Sequence, residues 1–137
     1  MESQPWGYNS VTYNWKKQVP VNVLIIINDA PYGSEKAYNA LRLALTLLKE
    51  HPAVQLQVFL MADAVLGALP GQITPNGYYN LERMLKGIIQ KGALVKACGT
   101  CADARGIREL NLVSGVELST MSQLAQWVVD ADKVLTF

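Results

Sequence analysis

The chain has 137 residues, half of them apolar, with a formal charge of +1 and a single histidine. That length suits one domain with one core, and the charge balance gives neither a basic footprint for nucleic acid nor an acidic tail. No apolar run approaches the ~18 residues that span a bilayer, and the first residues lack the apolar stretch of a secretory signal, so the expectation is a cytoplasmic protein with no membrane and no nucleic-acid partner.

Residues 1–20 are polar and aromatic, with Trp6, Tyr8, Tyr13 and Trp15 but no period, and read as an N-terminal arm. The expectation is an ordinary extended terminal arm or, since such aromatics favour interfaces, an anchor on a neighbouring subunit. Residues 21–137 read as a single α/β domain.

Residues 21–28 are nearly all apolar and β-branched, the pattern of a strand buried on both faces. A turn-rich loop follows from Asn28 to Ser34, and Ser34 can cap a helix. Ala37, Leu41, Ala44, Leu45 and Leu48 then recur at helical spacing, and His51-Pro52 ends that helix. A second strand is expected over residues 54–61, with Asp63 just beyond it and a short helical piece through Leu69. Residues 70–77 carry strong turn chemistry. Helix is predicted over residues 78–90, with Leu81, Met84, Leu85 and Ile88 on one side and Gly92 as its stop.

A third strand is predicted over residues 93–98, a short helix over 107–112 and a brief strand over 116–118. Thr120-Met121-Ser122-Gln123 fits a capping box. The helix it opens is expected to bury Leu124, Trp127 and Val128, before a fifth strand over residues 133–137. Strands alternating with helices imply βαβ units. The predicted fold is a three-layer α/β/α domain with a doubly wound, mainly parallel, five-stranded sheet.

The chemistry gathers in residues 95–106, which hold both cysteines, Cys98 and Cys101, at a strand end before a small-residue turn and a helix start. Ligands usually bind at such a rim. A helix N-terminus there offers unpaired N–H groups and partial positive charge, which favour the reactive thiolate. The alternative for Cys98 is an inert buried thiol. Cys101 reads as a partner that resolves a Cys98 intermediate, or as a packed small residue. Arg105 near Cys98 would stabilise a thiolate, and Asp103 would oppose it unless paired.

Asp29 and Asp63 end the first two strands, on the same rim as Cys98, as substrate-orienting carboxylates or solvated strand-end residues. Tyr32, Asn76, Tyr78 and Tyr79 are candidates for the cavity wall, and Gly99 and Thr100, between the cysteines, are grouped with the substrate-binding residues. Two cysteines and one histidine fall short of a closed zinc site's four ligands. No nucleotide-binding motif is present, so neither a metal nor a cofactor is expected.

The segment from Cys98 to Gly106 resembles the cysteine segment of the DsrE/DsrF-like family, and within it the YchN-type branch. The likeness extends to residues 28–45 and 76–83. The resemblance implies a compact α/β fold, a homo-oligomer (a hexamer) and sulfur-donor and sulfur-acceptor proteins as partners. Counted from Gly106, Cys98 takes the place of the cysteine that carries sulfane sulfur in the relay members. Those members have a different residue at the position of Cys101. The function implied is a persulfide carrier or sulfurtransferase with Cys98 as the sulfur acceptor. Its rivals are a thiol–disulfide oxidoreductase using Cys98 and Cys101, and a non-enzymatic module for small-ligand binding or assembly.

Overall fold

The β-branched run after Pro20 forms β1 (Val21–Ile27), whose Leu24 and Ile25 are wholly buried. The computed structural model describes residues 19–137; the predicted arm, with Trp6, Tyr8, Tyr13 and Trp15, lies outside the described residues except for its last two positions. The chain continues through α1 (Lys36–Glu50), β2 (Val54–Leu60), a 3-10 helix (Ala62–Ala68), α2 (Leu81–Gln90), β3 (Leu94–Cys98), α3 (Gly99–Ala104), β4 (Val116–Ser119), α4 (Met121–Asp130) and β5 (Lys133–Thr136).

The five strands form one sheet in the order β4-β3-β2-β1-β5, and every neighbouring pair is parallel. The chain therefore steps outward from β1 to β4, and α4 carries it back across the sheet to the far side of β1. Alternation along the strands assigns the two faces. Ile27 and Leu60 meet Ala37 and Leu41 of α1 and Leu81 and Leu85 of α2 around one cleft. Phe59, next to Leu60, points the other way and meets Trp127 of α4 edge-on, ring centroids 6.0 Å apart. Lys96, level with Phe59, lies 5.3 Å from the Trp127 ring and donates to Gln123 at 3.2 Å. Helices thus cover both faces, which is why the strands read as continuous apolar runs.

Several boundaries differ from the sequence reading, each for a local reason. The helix predicted over residues 78–90 begins at Leu81, because Asn80 caps it by accepting the Arg83 N–H at 3.0 Å. Ser34 accepts the Lys36 N–H at 3.2 Å, but the residue flanking α1 is Glu35, which makes no side-chain cap. Thr120 caps α4 as predicted, accepting the Gln123 N–H at 3.2 Å. Val128 is not buried with Leu124 and Trp127; it is 42% exposed on the outer face of α4.

The helix predicted over residues 107–112 is absent and turns stand in its place. Helix forms earlier, at the cysteines, and is closed by Gly106 at φ +68°. The Ile107 N–H returns to the Ala102 carbonyl at 3.0 Å and the Gly106 N–H to Asp103 at 3.1 Å. This is a left-handed C-terminal cap, after which the helix cannot continue. Among the described residues no helix is long and apolar enough to cross a membrane.

Candidate functional site

Parallel register fixes what stands beside the cysteines. Leu60 pairs with Ala97, so Cys98 comes level with Met61. The chain leaving β2 at Ala62 therefore turns beside the helix leaving β3. Cys98 is the last residue of β3 and caps α3, its Sγ accepting the Cys101 N–H at 3.2 Å. Gly99 follows where a side chain has no room. A Cβ there would lie 3.0 Å from the Arg108 guanidinium and 3.1 Å from the Ser119 carbonyl of β4. Thr100 is exposed on the first turn.

The two thiols have different surroundings. Cys98 is only 7% exposed, whereas Cys101 is half-buried. Burial pushes the Cys98 thiol up from its ordinary range, and a hydrogen bond with the Cys101 thiol adds to this, against the lowering effect of the Cys101 and Thr100 N–H groups. The N–H groups at the start of α3 thus favour the Cys98 thiolate, while burial opposes it. The six-residue α3 is too short for a large summed dipole, and desolvation outweighs the N–H groups that reach the sulfur.

Cys101 Sγ accepts the backbone N–H of Ala62 at 3.2 Å. Ala62 has φ +49° and is the one positive-φ residue other than glycine among the described residues. A side chain in that region is disfavoured by about 1–2 kcal/mol, so the surroundings hold it there.

Arg105 does not sit against Cys98. Its Nε and Nη2 donate to Asp63 at 2.9 and 2.8 Å, and its Nη1 donates to the Cys101 carbonyl at 3.0 Å. It thus ties the 3-10 helix to α3. Asp103 is paired with Arg108, which holds its carboxyl below the usual range.

The remaining candidates lie elsewhere on the rim. Asp29 accepts from Ser34 and lines the apolar cleft between α1 and α2, on β1's side of the sheet. Strands β1 and β3 flank β2, so the strand end that precedes Asp29 and the one that carries Cys98 stand two strand spacings apart, about 10 Å. The cleft's lining includes Pro31, Ala64 and Gly67 but not Tyr32, Asn76 or Tyr78, so those residues do not wall it.

Tyr32 instead donates to Gln72 at 2.5 Å and accepts the Leu81 N–H at 3.2 Å, pinning the loop before α2. Tyr78 stacks on Tyr79 at 4.4 Å, and Tyr79 stacks on Tyr38 at 4.1 Å. The Tyr79 hydroxyl is pushed up to about 12, first by hydrogen bonding with Tyr78. Asn76 is exposed. Among the described residues, no three His, Cys, Asp or Glu side chains gather to hold a metal ion.

Sequence reading missed two members of this neighbourhood. Ala62 contributes a backbone N–H, which leaves no side-chain signal. Arg108 reaches Gly99 and Asp103 only because the chain turns back at Gly106; its spacing from Asp103 gave no sign of this.

Comparison with known proteins agrees with this architecture. The family model described as the DsrE/DsrF-like family matches residues 21–137. Protein YchN of Escherichia coli strain K12 is 48% identical over 115 residues, 84% of this chain and 97% of that protein. An uncharacterized protein of Methanopyrus kandleri is 44% identical over 115 residues, 84% of this chain and 93% of its own. The crystal structure of the E. coli ychN protein superposes with a TM-score of 0.81 at 47% identity, covering 85% of this chain and 99% of that one. A protein of unknown function from Methanobacterium thermoautotrophicum shares the fold at 13% identity, with a TM-score of 0.70 over 85% of this chain and 99% of its own. With the family model spanning the whole described sheet and the relatives matching along nearly their full lengths, this chain belongs to the DsrE/DsrF-like family.

Proposed function

We propose that this chain handles sulfane sulfur, taking it as a persulfide on the Cys98/Cys101 pair and yielding it to an acceptor thiol. The observation that carries this reading is the paired hydrogen bonding at the rim. One sulfur accepts the Cys101 N–H and the other the Ala62 N–H, each at 3.2 Å. Donors placed in this way stabilise negative charge on sulfur as it is handed over.

Sulfur transfer needs little more. A thiolate attacks the outer sulfur of a donor persulfide, R–S–SH, forming Cys–S–SH and releasing R–S⁻. An acceptor thiolate repeats the step on Cys–S–SH, and the cysteine is returned. Each exchange depends on thiolate character and access rather than on a general acid or base. Family membership supports the reading, because relay members carry sulfur on a cysteine of this segment.

The same resemblance implies sulfur-donor and sulfur-acceptor proteins as partners, and a homo-oligomer, a hexamer. Light scattering on the full chain tests the assembly. A mass of one copy at micromolar concentration contradicts it.

Intact-mass analysis after exposure to a small alkyl persulfide tests the chemistry. The wild-type chain gains the mass of one sulfur atom, a reductant removes it, and the Cys98→Ser/Cys101→Ser double variant gains nothing. A wild-type chain that gains no sulfur overturns the reading. The bond from the Cys101 N–H to the Cys98 sulfur at 3.2 Å, which sets the two cysteines side by side at the start of one helix, favours one second reading, a thiol–disulfide oxidoreductase. That activity leaves a Cys98–Cys101 disulfide, a loss of two hydrogen masses and no gain of sulfur.

A further inference from the structure

The two cysteines are not equivalent, and the geometry divides their work. Cys98 is 7% exposed, closes the end of β3 and is occupied as the cap of α3. Cys101 is half-buried, one turn further out, and its sulfur receives a second element's backbone N–H. That N–H belongs to Ala62, held at φ +49°, and Arg105 bonds both Asp63, the next residue, and the Cys101 carbonyl.

We propose that Cys101, rather than Cys98, takes sulfur from the donor, with the Ala62 N–H as its fixed hydrogen-bond donor and the Arg105–Asp63 pair as the clamp that keeps that N–H in place. The proposal rests on the persulfide reading above and assigns the roles within it.

Cys98 is the supporting thiol. It is buried and already engaged by the Cys101 N–H at 3.2 Å, so its part is to cap α3 and hold Cys101 on the first helical turn. In the transfer step the Cys101 thiolate attacks the outer sulfur of R–S–SH. The Cys101 Sγ–S bond forms, the sulfur–sulfur bond of the donor breaks, and its electron pair leaves with R–S⁻. The proton stays on the transferred sulfur, so no oxidant or reductant is consumed. Attack at Cys98 would instead require a donor to reach a sulfur that is almost wholly covered.

Arg105 is a positioning residue in this scheme. Its carboxylate partner is 59% exposed, and its own side chain is 28% exposed. Exposed pairs of this kind contribute about 0–1 kcal/mol to stability, so removing this one leaves the fold intact. What it fixes is the distance between two elements that share no other hydrogen bond to the thiol.

The test uses single variants of the full chain and a small alkyl persulfide. Serine at position 98 can still cap α3 by accepting the Cys101 N–H, so Cys98→Ser folds and loads. Intact mass is expected to show one added sulfur on Cys98→Ser and none on Cys101→Ser. Loading of Cys101→Ser overturns the assignment and leaves the persulfide reading standing. Failure of the wild-type chain to load overturns both.

The clamp is read separately, from the rate of Cys101 alkylation by iodoacetamide in the Cys98→Ser background. Arg105→Met and Asp63→Asn are expected to slow the reaction at neutral pH by about three- to tenfold. Arg105→Lys restores part of the rate. An unchanged rate in both Arg105→Met and Asp63→Asn overturns the clamp.

Discussion

Cys98 and Cys101 show how far three residues of separation can divide two identical side chains. One sulfur ends a buried strand and the other, half-buried on the first helical turn, meets the N–H of Ala62. The sequence reading puts the chemistry on Cys98, whereas the difference in burial between the two emerges only in the assembled sheet, where Cys98 pairs with Ser119 of β4. Gly99 is the residue that lets α3 and β4 close together. Its substitution by alanine places a Cβ 3.1 Å from the Ser119 carbonyl, a strand atom that cannot move freely, although the Arg108 guanidinium at 3.0 Å can swing away. Gly99→Ala is therefore expected to lower stability by about 1–3 kcal/mol in urea denaturation. A change within about 0.5 kcal/mol contradicts the close approach between α3 and β4.

At the scale of elements, the two faces of the sheet are held in different ways. On one face α4 contributes Leu124, 7% exposed, and Trp127, 5% exposed. Leu124→Ala is expected to lower stability by about 2–5 kcal/mol, whereas Val128→Ala, on the outer face, changes it by no more than about 0.5 kcal/mol. Equal losses contradict the orientation of α4. On the other face, polar side chains fasten the long loop before α2. Glu82 accepts from Lys86 at 2.6 Å and from the Gln72 N–H at 2.9 Å, and Gln72 donates to the Gly67 and Leu69 carbonyls, each at 3.0 Å.

Lys86, then the Gln72 N–H, hold the Glu82 carboxyl below its ordinary range. A folded-state value below the unfolded one, about 4.3, means that its stabilisation is complete above that pH. It is lost as the pH falls through the folded value. Acid titration of stability should therefore be less steep below about pH 4.3 in Glu82→Gln, which removes the titrating group. An identical acid limb in the variant contradicts the assignment.

Across the whole molecule, what the sequence revealed was whatever a short window can encode. The β-branched run of β1, the Asn80 and Thr120 caps and the alternation of strands and helices are local patterns, and together they imply the parallel sheet. Gly106 shows the limit. Apolar residues at 107, 110 and 112 suggested a helix, but a left-handed cap had already ended one, leaving Leu110 52% exposed. Ala62 shows it more sharply. Its positive φ lies just past the end of β2, and alanine carries no sign of it.

The site was legible as a location and not as a mechanism. The rim position of the cysteines could be read from strand and turn signals, while the partners of Arg105 and the covering of Cys98 emerged only from the assembled sheet.

The claim on which the function depends is that sulfur is held on this rim. Tryptic cleavage after Lys96 and Arg105 releases a single peptide carrying both cysteines of the chain. Mass mapping of that peptide, from full-length protein loaded with a small alkyl persulfide and then alkylated, is the most direct measurement. The account predicts one additional sulfur on this peptide, which a second thiol then removes. A peptide that carries only alkylated thiols, or only a Cys98–Cys101 disulfide, contradicts it.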